Sequence, residues 1–448
     1  MQARVGTAAE RNRHQDANSV ASHAAFAHPT KSGPQVRSVD TCADDGSPGS
    51  LRAQVTAAAS GDVIDLSQLT CGTITLANSA IMVTQPSLTL QGPGPEALTI
   101  DGAGHYSAFY HLGAGTLGIA DVTIAHGYYA GSFEPKGGCI FSKGNVFLFH
   151  SVVTHCTVGS LSASEPAIGG GVYAEGNLTM KNSTITESHV LTSVNGPNAF
   201  GGGGYVIGSV AMLYSTISNN TATQLFGANV GDGGGLFVKG AVDITYSTIS
   251  GNSADYVGGL EIFSNQPATI FNGTISGNVG KLGYGGLWTK SALTLSNSTI
   301  AFNAARSDAS GTSTAGLHSL APLVLQSSII ADNIGPNGPS DLGGMAGISI
   351  TGDNNLITSY TLPPPMNTRS ECPHLQPLAD NGGSTRTHAL SHTSVAIDHG
   401  SNPLTLQKDQ RFATRDVGAA TDIGSVEWQP GETDERLFVA GFDGLCDQ

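Results

Sequence analysis

The chain has 448 residues, of which 60 are glycine, 12% are charged and 6% are aromatic, with 34 acidic against 19 basic side chains for a net charge of −15. This is too apolar for a disordered chain and too glycine-rich for a helical one, and it lacks the every-third-residue glycine of collagen. No basic footprint supports nucleic-acid binding, no stretch is long and apolar enough for a membrane helix, and a polyanionic ligand would need a local basic patch or a bridging cation.

Residues 1–38 are polar and mixed, without an apolar signal-peptide core, and read as a disordered lead. Residues 39–104 read as a cap and the first coils. Six cysteines occur with no Cys-x-x-Cys pair to suggest zinc or redox work. Cys42 and Cys71 flank the first ordered segment and are expected to pair, as are Cys372 and Cys446 near the C-terminus, which suits an oxidising compartment. Cys139 and Cys156 fall within one repeat and read as small core residues.

From residue 105 to about 358 the chain repeats itself. GGGVYAEGNLTMKNSTITESHV begins at Gly169, GGGLFVKGAVDITYSTISGNSA at Gly233 and GGLWTKSALTLSNSTIAFNAA at Gly285. Aligned on the Ser-Thr-Ile-like step, Ile124, Val153, Ile185, Ile217, Ile249, Ile275, Ile300 and Ile330 are 29, 32, 32, 32, 26, 25 and 30 residues apart. Such a period marks a solenoid, and alternation within each unit marks two or three short strands. One unit cannot bury its apolar face alone, so units must stack. A core column is read through Val172, Tyr205, Leu236, Leu260, Leu287 and Leu317. Three residues after the aligned isoleucines come Ser188 and then Asn220, Asn252, Asn278, Asn303 and Asn333. In a parallel coil those five amides form a hydrogen-bonded ladder. The expected fold is therefore all-β, a single-stranded parallel β-helix of roughly eight to ten coils. The glycine triplets precede strands, not helices, and read as turns rather than phosphate cradles.

Two outward columns follow the glycine turn. One is read as Ile140, Tyr173, Val206, Phe237, Glu261, Trp288 and His318, the other as Glu175, Gly208, Lys239, Phe263, Lys290 and Leu320. Tyr173, Phe237 and Trp288 would then form an exposed aromatic stripe able to stack on sugar rings. Around Trp288, Glu261, Lys239, Lys290 and His318 supply a carboxylate, amines and an imidazole, the ingredients of acid–base work on a glycosidic bond or uronic acid. The alternative is that the charges are solvated and the aromatics lie under the long insertions at residues 158–171, 190–204 and 222–235. No cofactor is expected. Ca²⁺ near Asp232 or Asp255 has no supporting ligand spacing.

The repeat Gly-Gly-Gly-Φ-x-x-x-Gly-x-Φ-x-Φ-x-x-Ser-Thr-Ile-x-x-Asn resembles the right-handed, pectin-lyase-like β-helix proteins of bacterial surfaces and secretions. DTCADDGSPGSLRAQVTAAASGDVIDLSQLTCGTITL and LTLQGPGPEALTIDG resemble their N-terminal cap. After the proline-rich boundary TLPPPMNTRSECP, the segments LQPLADNGGSTRTHALSHTSVAIDHG and DQRFATRDVGAATDIGSVE resemble the choice-of-anchor Q domain, so 359–428 reads as an anchor-like segment and 429–448 as an acidic tail. Phe412 stands where that family has glycine. The likeness implies export and surface display, with a polysaccharide or cell-surface glycan as partner and a monomeric chain. The function expected is polysaccharide binding or adhesion, with a polysaccharide lyase or glycoside hydrolase as the alternative. The pectinase motifs Asn-Thr-Asp with Gly-His-Gly and Arg-Ile-Lys, and Trp-Ile-Asp-His, are missing, which favours binding.

Overall fold

The structure, a computed structural model, describes residues 33–161, 165–192, 198–224, 231–307 and 313–432. Each repeat folds as one coil. In one of them Leu236–Val238 belongs to a ten-stranded sheet, Val242–Thr245 to a twelve-stranded sheet and Thr248–Ser250 to an eleven-stranded sheet, while Ser253–Ala254 adds to a nine-stranded one. Neighbouring coils pair in parallel throughout these sheets, except at the final pair of the nine-stranded one. This is a parallel β-helix. The first coils hold three strands, within the expected two or three, and from Tyr128–Gly131 onward the nine-stranded sheet adds a fourth, with left-handed residues such as Tyr246 (φ 49) and Gly251 (φ 66) bending the backbone between strands.

The aligned isoleucines pair rung to rung, from Ile124 with Val153 to Ile300 with Ile330, and are at most 2% exposed. The asparagine ladder runs beside them. Asn220, Asn252, Asn278 and Asn303 each donate Nδ2 to Oδ1 of the next asparagine at 2.8–3.0 Å, and Asn333 ends the series on Asp341 at 2.8 Å. Each Oδ1 along the ladder also accepts the backbone amide of the residue below, so no ladder amide is orphaned.

This ladder explains much of the glycine run. Only the first glycine of each early triplet has positive φ, at Gly169, Gly201 and Gly233. The third must lack a side chain because a Cβ on Gly203 or Gly235 would crowd the amide of Asn220 or Asn252, 17 residues onward in its own coil. Cys139 and Cys156 occupy those same two positions one coil below Gly171 and Ser188. They form a disulfide with Cα atoms 5.3 Å apart, correcting their reading as free core residues. Cys42 and Cys71 are bonded. Cys372 is also disulfide-bonded, and its expected partner Cys446 lies outside the described residues.

At the N-terminal end a short helix, Leu51–Ala57, buries Leu51 and Val55 against the first coils. Ser50 caps it by accepting the Ala53 amide. The lead is shorter than expected, because Val36–Ser38 already pairs with Val63–Asp65; residues 1–32 lie outside the described residues.

Residues 359–432 form an irregular strap over the outward face of the eleven-stranded sheet. The outward Ser/Thr columns are its docking track: Thr248 Oγ1 donates to Arg386 O at 2.7 Å, Thr274 Oγ1 to Gln410 Oε1 at 2.7 Å, and Ser425 N to Thr299 Oγ1 at 3.1 Å. Phe412 keeps the left-handed conformation of a glycine (φ 69), and its ring packs on Tyr214 and Tyr246, 4.9 and 5.8 Å away.

Candidate functional site

The outward column of the ten-stranded sheet is Tyr110, Phe141, Tyr173, Tyr205, Phe237, Glu261, Trp288 and His318. The expected column is one residue out of register at Ile140 and Val206, and Tyr205 belongs here rather than in the core. A slip of one residue exchanges the two faces of a strand. At Ile140 the cause is Cys139, which stands where later coils have the third glycine; at Val206 it is the four-glycine run at Gly201–Gly204, whose last member takes the core position opposite Leu236 and Val172. In the second column Ile207 replaces Gly208 for the same reason.

The rings of Phe141, Tyr173, Tyr205 and Phe237 stack at 5.0–5.8 Å, but they are only 2–6% exposed. Insertion strands Ala167–Ile168, Ala199–Phe200 and Gly231–Asp232 form a three-stranded sheet, and Ile168 and Phe200 pack on the stack. Tyr173 and Phe237 therefore present no ring face to a ligand, which overturns the expected exposed stripe over this half of the face.

Where the insertions shorten, the surface opens. Phe263 is 47% exposed and Trp288 half-buried, their rings offset-stacked at 6.1 Å and 11°. Lys239, Phe263, Ser264, Asn265, Gln266 and Lys290 line a shallow depression of about 490 Å³. Lys290 Nζ lies 5.1 Å from the Phe263 ring centre and Lys239 Nζ 5.3 Å from that of Tyr205. Neither ammonium has a carboxylate partner among the described residues.

Beneath this platform the acidic groups are buried. Glu261 is 6% and Asp232 8% exposed, and Glu261 Oε2 and Asp232 Oδ1 have no hydrogen-bond partner. Burial pushes Asp232 up to about 7, and burial, reinforced by the Asp232 charge, holds Glu261 well above the usual carboxylate range. Asp255 also raises Asp232; its own carboxylate accepts the amides of Gln224 (2.7 Å) and Gly231 (3.0 Å) and faces Lys281 at 3.3 Å. His318 is 5% exposed, bonds Thr314 Oγ1 at 3.0 Å and packs on Tyr284; burial lowers it to about 4, so it is neutral at pH 7.

Trp288 and the four residues expected around it thus divide. Lys239, Lys290 and Trp288 reach the surface with Phe263, whereas Glu261 and His318 sit inside it, two coils or about 10 Å apart with Trp288 between them. Asp232 joins Glu261 through an insertion strand, a pairing that no local sequence pattern marks. Among the described residues no group of three or more His, Cys, Asp or Glu side chains is placed to hold a metal ion.

These buried carboxyls set a pH dependence. Asp232, Glu261 and Glu427 of the strap (about 8) hold protons in the fold that the unfolded chain releases at ordinary carboxylate pKa values. Between pH 6.5 and 8 the folded state therefore binds more protons, and stability falls as pH rises, by about 1.4 kcal/mol per pH unit for each proton retained. Below pH 6.5 His318 and His388, both near 4 when folded, act oppositely. Thermal unfolding should show Tm dropping from pH 6.5 to 8, with a shallower drop in Glu261→Gln; a Tm flat or rising over that range would contradict these assignments.

No family model matches the chain, and no curated protein matches it. Among solved structures, the crystal structure of pectate lyase Pel9A aligns over 89% of this chain and 97% of that one, with a TM-score of 0.39 and 13% identity.

Proposed function

We propose that this chain is an exported glycan-binding module that holds a linear acidic polysaccharide on the Lys239–Phe263–Trp288–Lys290 platform. The observation that carries this is the pair of ammonium groups without carboxylate partners among the described residues, flanking the stacked pair of exposed Phe263 and half-buried Trp288 on a protein of net charge −15. An aromatic ring offers a stacking face for a sugar, and a desolvated aromatic anchor contributes a few kcal/mol. The lysines supply charge for uronate carboxylates, and Asn265 and Gln266 add donors and acceptors at the rim. Glu261, protonated below the platform, does not repel an anion.

Two disulfides and the bonded Cys372 support an oxidising, extracellular setting. The likeness of residues 375–400 and 409–427 to the choice-of-anchor Q segment supports display on a bacterial surface. A catalytic reading rests on the raised Asp232–Glu261 pair, since such pairs gather at functional sites; its weakness is that Glu261 is enclosed.

The test is a panel of acidic and neutral polysaccharides, scored for binding and for new reducing or unsaturated ends. Trp288→Ala, and separately Lys239→Ala with Lys290→Ala, should each weaken binding of the acidic members about tenfold or more while leaving the fold intact. The lysine contribution should shrink with added salt. Glu261→Gln should leave binding largely unchanged and abolish any turnover. Unchanged affinity in both platform variants would remove this face from consideration.

A further inference from the structure

The strap does not lie flat over its whole length. Residues 375–390 form an irregular antiparallel hairpin, with Leu375 bridging Leu390 and Ala379 bridging Thr387. One leg is docked: Arg386 O accepts from Thr248, and His388 joins Ser276 Oγ to Gln376 O at 2.7 Å on each side. The tip borders coils that the strap does not cover, enclosing a cleft of about 750 Å³. That size falls within the range of roughly 300–1,000 Å³ typical of small-ligand sites.

Three rungs of the eleven-stranded sheet make the floor, with Thr184, Thr216 and Thr248 in one outward column and Thr186, Ser218 and Ser250 in the other. Among the described residues the hydroxyls of Thr184, Thr216 and Ser250 have no protein partner, whereas Thr186 and Ser218 bond each other at 3.1 Å. Leu375, Pro377 and Leu378 form an apolar wall. Arg386 is exposed at the mouth and makes no ion pair among the described residues; Asp380 beside it accepts the Gly382 amide.

We infer that this cleft is a second carbohydrate site, taking a short stretch of sugar chain that carries a carboxylate. Hydroxyls both donate and accept, so a hydroxyl floor suits a ligand edge that does the same. The apolar wall suits the CH face of a pyranose ring, and Arg386 suits a uronate carboxylate. Rungs about 4.8 Å apart repeat on the scale of successive rings in an extended chain. Because the cleft and the platform lie on different sheets of the prism, one molecule would grip two polysaccharide strands, and avidity would then follow without new contacts. The inference rests on the reading that the chain binds acidic glycans, but the two sites can be tested apart.

The experiment is titration calorimetry of the full chain with tetragalacturonate and with its carboxyl-reduced counterpart. Arg386→Ala with Thr216→Val alters cleft groups that bond nothing else, so folding should be unaffected. The unaltered chain should show two sites for the acidic ligand. The cleft variant should keep one and weaken the other tenfold or more, and Lys239→Ala with Lys290→Ala should do the converse. A single site that only the lysine changes remove would overturn the cleft and leave the platform standing. A single site that only the cleft changes remove would do the opposite. No binding by the unaltered chain would overturn both.

Discussion

Replacing Asn278 with alanine is expected to destabilise the solenoid by about 4 kcal/mol, the largest effect of any single polar change in the repeats. Asn278 is fully buried and takes part in four ladder contacts. Its Nδ2 donates to Ile249 O (3.0 Å) and Asn303 Oδ1 (2.9 Å), and its Oδ1 accepts Asn252 N (3.0 Å) and Nδ2 (2.9 Å). Each net contribution is about 1 kcal/mol, and the groups left unpaired are buried. Coil stacking propagates through nearest neighbours, so the loss would be felt on both sides of the break. Denaturant unfolding should report it as a lower midpoint. A loss below about 1 kcal/mol would mean that the ladder merely accompanies the stack.

Gln410→Leu should cost about 3 kcal/mol, and the loss should fall mainly on the strap. The Gln410 side chain bonds Ser247 O (3.2 Å), Thr248 Oγ1 (3.0 Å) and Thr385 Oγ1 (3.0 Å), and accepts from Thr274 Oγ1 at 2.7 Å. Leucine fills similar space and leaves those groups unanswered, although Thr274 retains Ser425 as a neighbour at 3.2 Å. Hydrogen exchange should then show the amides of residues 375–427 opening well before those of the coil sheets. Equal acceleration in both would contradict docking through this glutamine.

Much of the fold was legible because the repeat states its own register. The isoleucine alignment and the five asparagines follow directly from spacing, since each coil must place like residues over like. The Cys139–Cys156 bond was equally readable: the two cysteines are 17 residues apart, the same interval that separates Gly203 from Asn220 and Gly235 from Asn252. The pairing emerges only from the glycine and asparagine columns taken together, since neither cysteine matches its own column's residue type. The slip at Tyr205 arose because four consecutive glycines carry no side-chain pattern to count against.

The site was less legible for a different reason. Alternation separates inward from outward residues, but it does not reveal what covers the outward ones. Tyr173 and Phe237 are outward and still buried, because insertion strands from three successive coils pair above them. Asp232 reaches Glu261 through one of those strands. The outward threonines of the Ser-Thr-Ile steps pointed to strand formation; that they dock a strap from more than a hundred residues away is a tertiary fact.

Amine footprinting of the lysines tests the binding platform most directly. With saturating acidic oligosaccharide, Lys239 and Lys290 should acetylate at least fivefold more slowly, while Lys181 and Lys408, exposed on other faces, should react at unchanged rates. Binding that leaves Lys239 and Lys290 as reactive as in the free chain would contradict the platform as the glycan site.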